Sequence, residues 1–455
     1  MRKWGTFAVV GLVVVAAIVA SILVPVTRPA DHMISLPISR MLACPIGDPN
    51  LPADNPGRGK TVVTVTDQEN FVAGELNALP SDPMTNFQLE NPTKAVIVRG
   101  SATVAGVSTY TNKANDHEMV VPCAPPVTTG SWNGVSVKDG STLILTNVDA
   151  GAAKVDIFLY GQLGPIATPG LRDIPVGSGT TITRSIDTNL VSTDTVVSVQ
   201  IRASKGRVAA VLRTIGDHDQ GFDWALPQTS PDTDLLMAGI PAGDGIRTLS
   251  IANTDPTNKA QISVEVMGES GSFAPLGLET IEIAPSRTTS VDITQALGGQ
   301  ASAIHLVSDR PVTATVVING TPSSETETTE EENSETQSTS GDIAGISAQP
   351  PLNGAVVFPG VGGTLWAANP SDQTATLTMD SKDDSGAAST ESFDVAPHMI
   401  LSIPFPSSGT VKLTTDSSVV RTSLVLDSLS LSILPISGGG VVASVPVPHV
   451  VPGLG

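Results

Sequence analysis

The chain is poor in aromatic and basic residues, and each shortage bears on which ligands it could bind. Aromatic residues make up 3% of its 455 residues, whereas sugar-binding sandwiches usually display exposed Trp or Tyr side chains. It has 24 Lys and Arg against 44 Asp and Glu, a net charge of −20. Nucleic-acid binding needs basic clusters that neutralise phosphates, so we expect no nucleic-acid partner. We attribute the acidity to an exposed, well-hydrated surface.

Recognisable catalytic motifs are also missing. The six histidines occur one at a time, without HExxH or paired zinc-ligand spacing. No GxSxG elbow or phosphate-binding glycine loop is present, and the nearest serine match, Gly268-Glu269-Ser270-Gly271, falls in a repeated turn. The sequence therefore predicts a protein without enzymatic activity and without a cofactor.

The densest polar cluster is a loop that reads GDHDQGFDW. It carries three carboxylates and one imidazole, those of Asp217, His218, Asp219 and Asp223. Such groups could bind Ca²⁺ or another hard cation, or supply a general acid and base for a hydrolase. The simpler interpretation is a solvated loop between units, with Trp224 packed on a neighbouring sheet. A structural cation is favoured over catalysis, because no nucleophile or oxyanion donor is recognisable nearby.

The chain has two cysteines, Cys44 and Cys123, and both follow the apolar N-terminal run. Thiols oxidise readily outside the cytoplasm, so we predict a disulfide between them. In the chain-entropy model this bond would stabilise the N-terminal region by roughly 4 to 5 kcal/mol. Two sulfurs are too few for a zinc site.

A run without charge extends from Gly5 to Val26. As a helix it would span roughly 30 Å, the thickness of a hydrocarbon core. Arg2 and Lys3 precede it, which predicts a single-pass plasma-membrane anchor with a cytoplasmic N-terminus and an extracytoplasmic C-terminal part. The alternative is a cleaved signal peptide, although the sequence offers no good cleavage site. Either interpretation exports the remainder of the chain.

Beyond residue 60, Val, Ile, Leu and Thr alternate with polar residues over five to eight positions, as in Val155–Leu159 and Ile262–Val266. Gly, Pro, Asn and Asp interrupt these runs, which is typical of short, half-buried strands. Convincing helical periodicity is absent outside the N-terminal run. We therefore predict an all-β ectodomain of tandem sandwich-like (Ig-like) units, preceded by one transmembrane helix.

An internal repeat supports this architecture. Three strands end on an asparagine, at Asn147, Asn253 and Asn369, and a glycine follows 17, 18 and 17 residues later, at Gly164, Gly271 and Gly386. Asn at a strand end can form an Asx-turn and Gly supplies a positive φ, so we interpret these as turn residues rather than ligands. The segment Phe87–Pro92 hints at a further, degenerate copy.

Between the second and third copies lies an acidic, Ser- and Thr-rich segment whose core reads SSETETTEEENSETQSTSG. It cannot bury apolar surface, so we predict a disordered linker with an end-to-end distance near 25 Å, about which the third unit would move independently. The Pro-rich C-terminal tail is predicted to be extended.

These observations divide the chain into seven parts. They are 1–29, a cytoplasmic stub and anchor; 30–130, an N-terminal β region with the disulfide; 131–230, unit 1; 231–320, unit 2; 321–345, the acidic linker; 346–435, unit 3; and 436–455, a Gly- and Pro-rich tail.

Several short segments also follow a characteristic order. They are Cys44-Pro45, Cys123-Ala124-Pro125, Leu143–Asn147, Lys205–Ala210, Asp223-Trp224, Leu249–Asn253 and Asp309–Ala314. In this order they resemble the actinobacterial domain-of-unknown-function family 5719, whose members look like a transmembrane helix followed by repeated β-sandwich-like segments. The acidic linker departs from that pattern. The family has no established activity, so the resemblance implies only a cell-envelope location, near polysaccharide or glycosyltransferase systems.

We therefore expect a non-enzymatic, membrane-anchored envelope protein that acts as a binding or scaffold module. Its partners would be an envelope protein or a cell-wall glycan, bound by strand edges and loops on a β stalk. One alternative is an accessory subunit or regulator of an envelope glycosyltransferase. Another is a hydrolase that uses the Asp217–Asp223 cluster.

Overall fold

A computed structural model describes most of the chain. The described residues are 33–35, 40–45, 59–65, 70–100, 104–112, 117–138, 140–191, 196–215, 222–320, 342–427, 431–437 and 444–446. The predicted anchor and the acidic segment 321–341 lie outside them. Within the described part, no helix is both long enough and apolar enough to cross a bilayer.

The described residues are almost entirely strands, as the alternating pattern predicts. The N-terminal unit contains β2 (Arg40–Cys44), β3 (Lys60–Thr64), β4 (Phe71–Glu75), β5 (Asn86–Glu90), β6 (Val96–Gly100), β7 (Ala105–Asn112) and β8 (His117–Pro122). Unit 1 contains β9 (Pro126–Val127), β10 (Thr129–Ser136), β11 (Ser141–Asn147), β12 (Ala153–Gly161), β13 (Gly164–Ile166), β14 (Ile174–Val176), β15 (Thr180–Ile186), β16 (Val196–Lys205), β17 (Val208–Ile215) and β18 (Phe222–Ala225).

The second half of the chain continues in the same way. Unit 2 contains β19 (Asp232–Ile240), β20 (Ile246–Asn253), β21 (Ala260–Gly268), β22 (Gly271–Phe273), β23 (Thr280–Ile283), β24 (Arg287–Asp292), a one-turn helix (Thr294–Leu297), β25 (Ser302–Asn319) and β26 (Ile343–Ser347). Unit 3 contains β27 (Val356–Pro359), β28 (Thr364–Asn369), β29 (Ala375–Lys382), β30 (Ala388–Val395), β31 (Met399–Pro404), β32 (Thr410–Thr415), β33 (Arg421–Leu426) and β34 (Ser432–Ile436).

Units 1 to 3 share one topology, which we describe with positions a to h in chain order. One antiparallel sheet has the order a-f-c-d and the other e-b-g-h. In unit 3 these sheets are β27-β32-β29-β30 and β31-β28-β33-β34. In unit 2 the long strand β25 crosses from one sheet to the other and supplies both f and g. The structure establishes this strand order. The assignment of the units to an Ig-like fold stays a prediction.

The N-terminal unit is a fourth copy of the same arrangement without position d. Its sheets are β2-β6-β4, the order a-f-c, and β5-β3-β7-β8, the order e-b-g-h. The hint from Phe87–Pro92 pointed to the right region but to the wrong strand, because Phe87 lies in β5 at position e. Position b is β3, which has no terminal Asn. The predicted disulfide between Cys44 and Cys123 is confirmed and joins β2 to the residue after β8.

The four units close into a ring in which the a-f-c-d face of each unit packs against the e-b-g-h face of the next. Four hydrogen bonds, one at each junction, show the closure. They join Asn77 Nδ2 to the Gly179 carbonyl (2.8 Å), Asn133 N to Thr315 Oγ1 (3.2 Å), Ser423 Oγ to the Ala238 carbonyl (2.8 Å) and Thr64 Oγ1 to Thr410 Oγ1 (2.6 Å). The last of these links unit 3 back to the N-terminal unit, so the arrangement is not the stalk that the sequence suggested.

The h strands surround the centre of the ring. The contacts run from β8 to β18, from β18 to β26, from β26 to β34 and from β34 back to β8. At the last contact, Val120 N donates to Ser432 Oγ at 3.1 Å. Tyr110 and Trp224 stack near the contact between β8 and β18, with ring centroids 5.6 Å apart.

The acidic segment connects two paired strands of unit 2, β25 and β26, and does not separate unit 2 from unit 3. Strand β26 pairs antiparallel with β25, and Asn319 stands opposite Ile343. Gly320 N donates to the Asp342 carbonyl at 2.9 Å, so the residues flanking 321–341 lie in contact. The predicted 25 Å separation is therefore wrong. The segment is an insertion between g and h of unit 2, and the fixed pairing of these strands sets the distance between its ends.

The two remaining strands form a separate pair. Strand β1 (Met33–Ser35) runs antiparallel to β35 (Ser444–Pro446), with Met33 opposite Pro446. The segment that follows the predicted anchor is thus paired with the C-terminal tail.

Candidate binding groove and polar network between units 2 and 3

The cluster predicted from the sequence is only partly described. Asp217, His218 and Asp219 lie outside the described residues. Asp223 is buried in β18, where its Oδ2 accepts a hydrogen bond from Gly345 N at 3.0 Å. Burial, together with the nearby carboxylate of Asp342, raises the pKa of Asp223 to about 8. Asp223 therefore belongs to a contact between h strands and not to a solvated loop.

The repeated asparagines are turn residues, as predicted. Each is fully buried, and its Oδ1 accepts from the backbone N–H two residues later, which defines an Asx-turn. Each amide nitrogen also donates to the carbonyl at the end of a d strand, at Val176, Ile283 or Val395, over 2.9, 3.2 and 2.9 Å. Gly164, Gly271 and Gly386 have φ values of 137°, 141° and 88°, the positive values expected of them.

A cluster of ionisable groups around histidine begins on the a-f-c face of unit 2. His305 on β25 stands opposite Glu265 on β21. Its Nδ1 lies 2.9 Å from Glu265 Oε2, and its Nε2 lies 3.2 Å from Asp234 Oδ1 on β19. Glu265 Oε1 also accepts from Ser272 Oγ at 2.6 Å. One imidazole is thus held between two carboxylates.

The cluster continues across the junction into unit 3. His398 Nδ1 lies 3.3 Å from Glu265 Oε1, an ion-pair distance without hydrogen-bond alignment, and its Nε2 lies 2.8 Å from Asp372 Oδ1. The buried Arg421 on β33 lies 3.8 Å from Asp234. We call these six residues the junction network. They are Asp234, Glu265, His305, Asp372, His398 and Arg421.

The charges of the junction network shift its pKa values in opposite directions. Burial alone would lower the pKa of His305, but hydrogen bonds to Asp234 and Glu265 raise it overall. The hydrogen bond with His305 lowers the pKa of Asp234. Burial would raise the pKa of Glu265, whereas hydrogen bonds from Ser272 and His305 and the charges of the two imidazoles lower it overall. The network therefore favours a cationic His305 beside anionic Asp234 and Glu265.

A local turn explains how His398 reaches the junction. The residue immediately before strand e is left-handed in every full repeat, with φ values of 62° at Gly179, 54° at Ser286 and 52° at His398. Gly179 also contacts the preceding unit, through its carbonyl and Asn77. This turn presents one residue to the neighbouring unit, and in unit 3 that residue is a histidine.

A groove of about 810 Å³ lies beside the junction network. Unit 2 contributes the turn from Gly268 to Phe273 together with Gln300, and unit 3 contributes Trp366 and Asp427. Phe273 is 50% exposed. Glu269 and Asp427 are the charged side chains that line the groove within the described residues. Glu269 also crosses the junction, because its Oε1 accepts from Ser402 Oγ at 3.0 Å.

The sequence did not indicate this site. The histidines looked isolated, but the structure brings His305 and His398 to opposite sides of one carboxylate. Alignment of the repeats could have flagged His398, which replaces Ser286 and Gly179 at an equivalent position. The partner Glu265 depends on strand register and on packing between units, which the local pattern does not specify. In the described segments no three His, Cys, Asp or Glu side chains are arranged to hold a metal ion.

Fold and site together define a repetitive all-β protein whose surface features lie between its units. The family described as "Family of unknown function (DUF5719)" has a model that matches residues 99–406. The match covers more than half of the chain, which therefore belongs to this family.

No curated protein matches the chain. A solved structure described as "Crystal structure of tetra-tandem repeat in extending region of large adhesion protein" aligns at 11% sequence identity and a TM-score of 0.11. The alignment covers 88% of this chain and 98% of that chain. A similarity at this level carries no structural or functional argument.

Proposed function

We propose that this chain is a non-enzymatic binding module of the cell envelope, and that the groove between units 2 and 3 binds a glycan strand. The observation that carries the proposal is the groove itself, which combines the half-exposed Phe273 with the polar side chains of Glu269 and Gln300. Ligand sites are typically concave, mostly apolar surfaces with a few converging polar groups.

The chemistry of the lining selects the class of ligand. An aromatic ring offers a face for the apolar side of a sugar ring, and carboxylates and amides accept hydrogen bonds from hydroxyl groups. Glu269 and Asp427 would repel an anionic polymer. A neutral, hydroxyl-rich glycan fits these requirements better than a phosphate-containing chain.

Two observations support a non-catalytic role. Ser272 donates to the carboxylate of Glu265 and not to an imidazole, so the serine–histidine pair of a typical nucleophilic serine is not formed there. Asp223, the described member of the sequence cluster, is buried against Gly345. Both groups have partners that explain their positions without a reaction.

The proposed location rests on the N-terminal run and on the pairing that follows it. Gly5–Val26 has the length and lack of charge of a spanning helix. Strand β1 begins seven residues after Val26 and pairs with β35 in the tail. A chain anchored through Gly5–Val26 would thus have its C-terminal strand near the anchor, on the outer face of the membrane.

Retention of the full-length protein, in detergent, on isolated neutral cell-wall polysaccharide tests the proposal. Replacing Phe273 with Ala should weaken retention about tenfold, the effect of losing one central aromatic contact. The matched control is Leu276→Ala, which removes a nearby apolar side chain that is 98% exposed and does not line the groove.

Equal retention of wild type and Phe273→Ala would exclude the groove as the glycan site. Absence of any retention, together with a crosslinked envelope protein or glycosyltransferase that requires Phe273, would replace the glycan proposal with the accessory-subunit alternative.

A further inference from the structure

We propose that a small cavity at the centre of the ring binds a short-chain carboxylate, and that Arg40 holds the carboxylate group. Among the described residues, this cavity shares no lining residue with the groove between units 2 and 3. Binding in the cavity is therefore independent of the proposed glycan groove.

The cavity lies where the chain passes from one unit to the next. Its walls include the ends of the h strands β8, β26 and β34, and the segments 123–125, 226–227 and 348–350 that connect units. Its volume is about 120 Å³. The lining residues Pro125, Thr229 and Pro350 are exposed, which gives the cavity an opening to solvent. All four units therefore contribute to one small, accessible cavity.

Arg40 is the charged side chain that lines the cavity within the described part of the chain. It begins β2, and strand alternation places it on the same face as Leu42 and Cys44. Those two side chains are buried in the core of the N-terminal unit. Arg40 thus occupies a core-facing position, where the strand pattern would favour an apolar side chain.

The guanidinium of Arg40 is mostly buried and has no counterion among the described residues. Its Nη1 donates to the Val104 carbonyl at 3.1 Å, and no carboxylate there forms an ion pair with it. A guanidinium has five N–H groups, so most of them have no acceptor. Burial lowers the pKa of Arg40 to about 10, which leaves it charged at neutral pH. A buried cation without a counterion is costly, and a bound anion would remove much of that cost.

The rest of the lining is neutral and mostly apolar. Leu42, Val356 and Phe358 are among its buried side chains. The backbone N–H groups of Ala124 and Gln349 already donate to the carbonyls of Ala43 and Leu236. Proline, which has no N–H, occupies five lining positions: Pro122, Pro125, Pro227, Pro350 and Pro435. Arg40 is therefore the strong donor that this wall offers to an anion.

A short-chain carboxylate fits both the charge and the size of the cavity. The two oxygens of a carboxylate match the planar fork of a guanidinium, and the pair would neutralise Arg40. A phosphate or sulfate dianion would leave one negative charge against apolar walls. A cavity of about 150 Å³ can hold benzene, so about 120 Å³ limits the chain to roughly three to five carbons.

Calorimetric titration of the full-length protein with sodium butyrate, in detergent at pH 7, tests the site. Butyramide is a neutral ligand of nearly the same shape, and sodium chloride keeps the ionic strength equal in the two titrations. We expect butyrate to bind at least about tenfold more tightly than butyramide, because the amide cannot form the charge-assisted contact with Arg40.

A pair of arginine variants assigns the contact. Arg40→Gln should bind butyrate about tenfold more weakly, or worse, and should lose the preference over butyramide. The matched control is Arg99→Gln, which removes an exposed arginine on β6 of the same unit that does not line the cavity. This control should bind butyrate as the wild type does.

Wild-type protein alone keeps the test decisive if Arg40→Gln does not fold. The size of the cavity predicts that hexanoate binds no more tightly than butyrate, whereas adsorption to exposed apolar surface strengthens with each added methylene. Affinity that rises with chain length, equal affinities for butyrate and butyramide, or the absence of saturable binding would overturn the proposal. Unchanged affinity in Arg40→Gln, or sulfate that binds more tightly than butyrate, would also overturn it.

Discussion

Asp223 and Asp342 occupy corresponding places at two successive junctions of the ring. Asp223 accepts a hydrogen bond from Gly345 N in β26, the h strand of unit 2. Asp342 accepts one from Leu431 N, which immediately precedes β34, the h strand of unit 3. At the next junction, between β34 and β8, Ser432 Oγ likewise accepts a hydrogen bond from Val120 N. Each side chain satisfies a backbone N–H that would otherwise be buried without a partner. These polar residues therefore connect units.

The raised pKa of Asp223 predicts a measurable pH dependence of stability. Between pH 4 and 8 the unfolded chain has lost this proton while the folded chain retains it, so the free energy of unfolding falls as the pH rises. The slope from this group should be about 1.4 kcal/mol per pH unit. Replacing Asp223 with Asn should remove that slope and keep an acceptor for Gly345. Urea unfolding at pH 5 and pH 6, below the range in which the raised His305 titrates, measures the difference.

Asp223→Leu supplies the contrast. It also removes the titrating group, but it leaves Gly345 N without a partner and should destabilise the fold by about 1 to 3 kcal/mol at both pH values. Identical slopes for wild type and Asp223→Asn would show that Asp223 is ionised in the folded protein, contrary to this account.

The asparagine turns are visible in the sequence and the histidine cluster is not, for one physical reason. The Asx-turn is a local structure, and its recurrence at Asn147, Asn253 and Asn369 made it visible. The contact between Glu265 and His398 joins residues that are 133 positions apart. Neither residue carries a local signal, because their meeting depends on how two sandwiches pack.

Among the strands, alternation identified those with one face open to solvent. In β21 the buried and less buried positions alternate from Ala260 to Val266. Strand β16 is buried continuously from Val197 to Ile201, including Ser198 and Gln200. It occupies position f, whose outer face is covered by the next unit. The alternation of polar and apolar residues in β16 predicts that Ser198 and Gln200 face solvent. In the ring the next unit covers them.

The insertion between β25 and β26 gives a prediction at the level of elements. Replacing residues 321–341 with Asn-Gly should retain the fold. The two strands are already paired at the ends of this segment, and Asn-Gly favours a two-residue hairpin turn. The expected change in Tm is less than about 4 °C, the upper limit of the shift that roughly 1 kcal/mol produces in a domain of more than about 150 residues. Thermal unfolding together with hydrogen exchange in β28 and β33 measures the effect.

The contrary outcome is equally specific. If residues 321–341 acted as a spacer, shortening them would pull unit 3 out of place. Exchange would then rise selectively in β28 and β33, which face unit 2, while the N-terminal unit kept its protection from exchange.

At the level of the whole molecule, each unit has two neighbours because the ring is closed. The disulfide lies in the N-terminal unit, which contacts both unit 1 and unit 3. Replacing Cys44 and Cys123 with Ser should therefore destabilise the whole ring, by roughly 4 to 5 kcal/mol in the chain-entropy model. Calorimetry should show one shifted transition that includes all four units.

A stalk of independent units would give a different trace, in which one transition moves and the others stay in place. Reducing agent provides the control, since it should lower the Tm of the wild type and leave the double-Ser variant unchanged.

The sequence by itself determined the β class, the repeat, the asparagine turns and the disulfide. Each of these follows from composition, from periodicity along one strand, or from the presence of only two cysteines. Tertiary structure decided that a fourth unit closes a ring, that the acidic segment is an insertion between paired strands, and that two histidines share Glu265. These features depend on strand register and on faces packed between units, where residues far apart in the chain remove one another from water.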